Sequence, residues 1–234
     1  MPISSFWSIP KKKKIAAGFL VILIFIFLLV LIVRSCRRPE GESPKKYLQG
    51  LAGEIPENRL NAVLGLGRIN AKGAVPDLEK VLASDPDERV RRAAAYSILL
   101  LDRVKFLNLL NSPDENIRVI GLETISRKEK EKAYPYLEKG LSDPLTTVRR
   151  AALALFSQIP GSEKNAVILR LAENATEDSS LRVEALSILS RGAGPDVLDR
   201  LNNLADSETD FTVRTAAAVA VKEIKSRKEA GNER

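Results

Sequence analysis

Hydrophobic positions along this chain follow two rules. Residues 15–33 carry no polar side chain at all. From residue 44 onward, apolar residues instead return at the i, i+3, i+4 spacing of helices that bury one face, and no stretch alternates as a strand would. As a helix at about 1.5 Å per residue, the first run spans roughly 28 Å, close to the ~30 Å of a hydrocarbon core. It predicts one membrane-crossing helix, with a largely helical region behind it.

A longer period overlies the second rule. One block recurs: an acidic or small residue, Pro, three mostly polar residues, an aliphatic residue, Arg, then a run rich in Ala. The fullest copies are Asp85-Pro86-Asp87-Glu88-Arg89-Val90-Arg91-Arg92-Ala93-Ala94 and Asp143-Pro144-Leu145-Thr146-Thr147-Val148-Arg149-Arg150-Ala151-Ala152, with Ser112-Pro113-Asp114-Glu115-Asn116-Ile117-Arg118 a third. Leu181-Arg182 and Val213-Arg214 keep the core without the Pro, and an early copy over residues 56–60 has Asn61 in the place of Arg. The anchors Leu60, Val90, Ile117, Val148, Leu181 and Val213 are 30, 27, 31, 33 and 32 residues apart. Each block reads as a helix start, with Asp or Ser as the cap, Pro at the first helical position and acids in the first turn. Four residues past the anchors stand Leu64, Ala94, Gly121, Ala152, Ala185 and Ala217; all but the first are small, which lets a neighbouring helix come close. A second amphipathic segment precedes each such helix, as at residues 75–82 and 134–141. Paired helices at a period near 30 predict an all-α solenoid of about six helix pairs.

These blocks resemble the HEAT-repeat family, in the short form typical of bacterial HEAT-like proteins, over about residues 44–226. The period is shorter than the roughly 40–47 residues of long HEAT and armadillo units. The resemblance implies that the second helix of each pair lines the concave face, and that a ladder of stacked Asp and Arg joins neighbouring repeats. The matching residues here are Asp85 and Asp143 with Arg91, Arg118, Arg149, Arg182 and Arg214. Independently, an Arg near a helix N-terminus meets the unfavourable end of the dipole, so a carboxylate should hold it. Arg92 and Arg150 add charge beyond what a single ladder needs and are candidates for binding an acidic partner. The resemblance implies a scaffold for protein partners. Some HEAT-like proteins are bilin lyases and others DNA glycosylases, so an enzyme or enzyme accessory is the alternative.

Charge and composition narrow this. The net charge is +7, but residues 1–38 hold seven cations and no acid, which leaves 37 − 7 = 30 basic residues against 30 acidic ones in the rest. A neutral repeat domain is a poor phosphate binder, and no nucleic acid is expected as partner. With no His and one Cys, nucleophile–His pairs and His or Cys metal sites are excluded. No catalytic residue, cofactor or metal is expected. The surplus charge instead flanks the apolar run, as Lys11 to Lys14 on one side and Arg34, Arg37 and Arg38 on the other. The short tail favours a repeat domain outside the cytoplasm, on a single-pass protein of a bacterial inner membrane. A cleaved signal peptide is a competing reading, although its apolar region is usually shorter. A lipoprotein is another: Val33 and Ser35 suit a lipid-modified Cys36, and Arg34 does not. The expected organisation is a basic tail (1–14), a transmembrane helix (15–33), a juxtamembrane linker (34–43), a repeat domain (44–226) and a flexible tail (227–234).

Overall fold

A computed structural model describes residues 25–27 and 43–232 of the chain. Most of the apolar run expected to cross a membrane, and Cys36, lie outside the described residues; residues 25–27 form a helical turn with exposed side chains. No helix among the described residues is long and apolar enough to cross a membrane.

The repeat region is all-α. Among residues 43–232 twelve α-helices form six pairs: α1 (Pro44–Gly50) with α2 (Pro56–Arg68), α3 (Val75–Ser84) with α4 (Glu88–Leu101), and α5 (Arg103–Leu109) with α6 (Glu115–Glu129). α7 (Tyr134–Gly140) with α8 (Thr146–Ser157), α9 (Glu163–Glu173) with α10 (Ser179–Gly192), and α11 (Leu198–Ser207) with α12 (Phe211–Asn232) complete the stack. Val90, Val148, Leu181 and Val213 sink into one continuous core. The small residues after them are the reason the two helices of a pair can touch. A Cβ added at Gly140 would lie 2.9 Å from Ala152 Cβ, and one added at Gly50 would lie 2.9 Å from Ala62 Cβ. At Gly121 the close neighbour is Leu110, at 2.8 Å.

Three expectations need correction. The first block aligns on Asn58 and not on Leu60, so its ladder arginine is Arg59. The small residue that packs there is Ala62, buried at 3%, whereas Leu64 is 42% exposed. The anchor position falls on the exposed Asn58, at an end of the stack where no earlier pair covers it. Second, Pro86, Pro113 and Pro144 lie in the loops, not at first helical positions. α4, α6 and α10 are capped by Asp87, Asp114 and Asp178, whose side chains accept from backbone N–H groups of the first turn. Asp85 is thereby left free for another role. Third, the tail from 227 continues as helix to Asn232. Arg227 ties it down, donating to the carbonyls of Ser190 and Ala193 on the preceding pair.

Candidate functional site

The ladder positions form a file through the stack. The arginine after each anchor turns back on its own loop: Arg118 Nη1 donates to Ser112 O (2.8 Å) and Pro113 O (3.2 Å), six and five residues earlier. Arg59, Arg91 and Arg149 do the same in their loops, and Arg214 reaches Glu208 O at 2.8 Å. Arg182 differs, donating Nε to Ala172 O at 2.8 Å. The remaining guanidinium edge faces the next pair. Arg59 grips both oxygens of Asp85 at 2.7 and 2.8 Å, and Arg118 grips those of Asp143 at 2.8 Å each. Arg149 holds Glu177 at 2.7 and 2.6 Å, and Arg182 pairs with Glu208. All eight side chains are largely buried. Such forked pairs satisfy charge and geometry together.

The carboxylates are held below their usual range. For Asp85 the chief cause is the Arg59 fork. At Asp143 and Glu177 burial pushes upward, but Arg118 and Arg149, with the N–H groups of Leu145 and Asp178, outweigh it. For Glu208 the Asp210 N–H acts first and Arg182 second. Each carboxylate thus does two jobs, bracing its own loop and receiving the previous pair's arginine.

One rung is absent. Ser112 stands five residues before its anchor, as Asp85, Asp143 and Glu208 do before theirs. Its Oγ keeps the loop bond, accepting from Asp114 N at 3.2 Å, but offers no charge. Among the described residues Arg91, half-buried, has no carboxylate partner. Arg214, in the sixth pair, likewise meets no carboxylate among the described residues.

Sequence reasoning missed Arg59, Glu177 and Glu208. A signal for Arg59 existed: in all six blocks the ladder arginine is followed three residues later by a small residue, Ala62 in the first. Glu177 and Glu208 lack a following Pro, so the Asp-Pro pattern passed over them.

Arg92 and Arg150 point away from the ladder, and both are engaged. Arg92 donates to Glu88 at 2.7 Å, and its Nη1 lies 2.8 Å from Glu123 Oε2 of the next pair. That oxygen is buried and makes no aligned hydrogen bond, so charge alone links it to Arg92. Arg150 donates to Glu184 (2.6 Å) and Ser180 (2.9 Å), also of the next pair. Neither is a free cation, and the two do not make a basic strip by themselves. They form a second, half-exposed row of links between repeats.

Beside this row a groove of about 550 Å³ opens, lined only by second helices: Leu64 of α2, Arg92 and Tyr96 of α4, Arg127 and Lys128 of α6 among them. A cleft of about 590 Å³ elsewhere surrounds the Arg118–Asp143 rung, whose charges already satisfy one another. Among the described residues no group of acids or Cys is arranged to hold a metal ion.

Residues 44–102, the first two helix pairs, match the family model of HEAT repeats. No curated protein matches the sequence. Among solved structures, human deoxyhypusine hydroxylase in complex with glycerol is similar at 17% identity, covering 80% of this chain and 75% of that one, with a TM-score of 0.45. A designed armadillo repeat protein is similar at 19% identity over 77% of this chain and 99% of its own, with a TM-score of 0.38. The CpcE–CpcF complex of phycocyanin lyase from Nostoc is similar at 18% identity over 82% and 91%, with a TM-score of 0.32.

Proposed function

We propose that this chain is a membrane-anchored HEAT-repeat scaffold that holds a protein partner and carries out no chemistry of its own. The observation that carries the reading is the face made by the second helices. Its apolar side chains Leu64, Tyr96 and Val219 stay open to solvent while the interior is closed by paired charges and aliphatic packing. The absence of His from the chain supports a non-catalytic role, as it removes most acid–base and nucleophile chemistry. Residues 15–33 supply the anchor, inserted once in a bacterial inner membrane with the repeats outside the cytoplasm.

Affinity capture of the full-length chain from detergent-solubilised membranes tests the scaffold: a partner retained by the wild type and lost with a disrupted second-helix face is expected, and reproducible capture of nothing would end the reading. Carbonate washing should leave the protein in the membrane. Release by salt alone would remove the spanning helix, since screening acts on surface charge and not on apolar burial. Protease added to spheroplasts should digest the repeats; digestion only after lysis would place them in the cytoplasm.

A further inference from the structure

We infer that the groove between α2, α4 and α6 takes an acidic peptide segment of the partner, with an apolar side chain set between Asp or Glu residues; this rests on the scaffold reading above. The floor is apolar and open. Leu64 and Tyr96, each two residues beyond the buried small positions Ala62 and Ala94 of successive pairs, are 42% and 36% exposed, and Ala93 adjoins them. An apolar side chain laid there would take both surfaces out of water. The lip is cationic. Arg127 and Lys128 close the last turn of α6 and Lys130 follows; among the described residues none of the three has a carboxylate partner. Lys128 lies instead over the Tyr96 ring, 5.6 Å from its centre.

The other wall is Arg89 and Arg92, backed by Glu57, Asp87 and Glu88. Past Arg92 and Arg127 the groove runs on into a hollow of about 490 Å³, whose lining adds Lys130 and one carboxylate, Glu123. Along both hollows Arg89 and Arg92 are answered by Glu57, Asp87, Glu88 and Glu123, and the unanswered charge is that of Arg127, Lys128 and Lys130. This excess sits on a chain whose residues 39–234 balance at 30 basic against 30 acidic side chains. The helix dipole accounts for cations at the end of α6. It does not account for an uncovered Leu and Tyr beside them. A flat layer of anionic headgroups, or a phosphate backbone, would use the lip and leave that floor wet. A peptide chain uses both.

The test uses the full-length chain in nanodiscs of uncharged lipid. The probe is a short fluorescein-labelled peptide with Leu flanked by Asp and Glu, read by anisotropy. Saturable binding that weakens with salt is expected, and Arg127→Glu with Lys128→Glu should weaken it roughly tenfold or more. The charge-reversed protein should then prefer the same peptide with Lys in place of its acids. Leu64→Glu should also weaken the original, while Lys80→Ala, on another face, should not. As a readout that needs no variant to bind or fail, tyrosine-ring labelling should show the resonance that disappears in Tyr96→Phe moving when the probe is added to wild type. The inference is overturned if the probe does not bind, if it binds equally to the charge-reversed protein, or if vesicles of phosphatidylglycerol displace it from these residues in preference to unlabelled peptide. Should membrane capture still yield a partner in that case, the scaffold stands and its binding face lies elsewhere.

Discussion

The junction between the second and third helix pairs and the junction between the third and fourth are built on the same plan, but they differ at the position that receives the ladder arginine, Ser112 in one and Asp143 in the other. At the later junction Arg118 braces its loop and also clamps Asp143 with two 2.8 Å hydrogen bonds, both side chains nearly out of solvent. At the earlier one Arg91 braces its loop at 2.7 Å and stops there, because Ser112 occupies the receiving position. The earlier junction is joined across the exposed side instead, by Arg92 and Glu123. Stacking therefore does not require the buried rung. Apolar burial holds each pair to the next, and at the later junction the rung adds a buried two-point charge pair to it.

The largest test of this contrast is Asp143→Ala, which strands Arg118 in a dry site and should lower stability by about 3–5 kcal/mol in urea melts. Ser112→Ala, the same truncation at the other junction, should hardly matter. Acid should act on the same difference. Asp85, Asp143, Glu177 and Glu208 are all held down in the folded state, so the unfolded chain takes up protons first as the pH drops. Their contribution is complete above the ordinary carboxylate range near ~4 and is lost below it, as pH falls through the lowered values. A urea midpoint that stays level between pH 4 and pH 2 would contradict the ladder's share in stability.

Next in size is Ala152→Leu. Ala152 is fully buried, and its Cβ would be only 2.9 Å from a Cβ at Gly140, so the added bulk should destabilise by about 1–3 kcal/mol. A neutral thermal melt would mean the pair can part without loss. Smaller, and opposite in sign, is Ser112→Asp. It supplies Arg91 with the missing acceptor, and a gain of about 1 kcal/mol, or roughly 2–4 °C in Tm, is expected. No gain, or a loss, would show that the earlier junction is spaced differently, in keeping with its 27-residue interval, the shortest in the series. Smallest is Arg150→Ala: its link to Glu184 is about half exposed, and less than about 1 kcal/mol should be lost.

The helical pairing was legible because it rests on spacing. An arginine beside a buried aliphatic, with a small residue three positions on, repeats because the packing repeats. What was hidden depended on contacts between repeats. Aligning on Pro56 placed the first arginine slot at Asn61, since Pro56 begins its helix while Pro86, Pro113 and Pro144 sit in loops before theirs. Glu177 and Glu208 serve as rungs because their longer side chains reach the same arginine edge without the Asp-Pro turn. The groove was hidden for a related reason. Leu64 stands at the small-residue position when the block is aligned on Leu60; the packing of Ala62 against Gly50 shows that position to be Ala62 and turns Leu64 outward, to stand near Tyr96.

The rungs also run in one direction, each arginine reaching forward to the acid of the following pair, and this bears on self-assembly. A head-to-tail joint between two copies would need an arginine at one end and a waiting carboxylate at the other. The last arginine, Arg214, is folded over its own Phe211 ring at 5.6 Å. At the opposite end the receiving position, five residues before Asn58, is Gly53, which has no side chain to offer and whose carbonyl is already taken by Arg59. The two ends of the stack therefore carry no matching half of a rung. Filament growth, the standing hazard of a surface that repeats along one axis, finds no rung of this ladder to close on among the described residues.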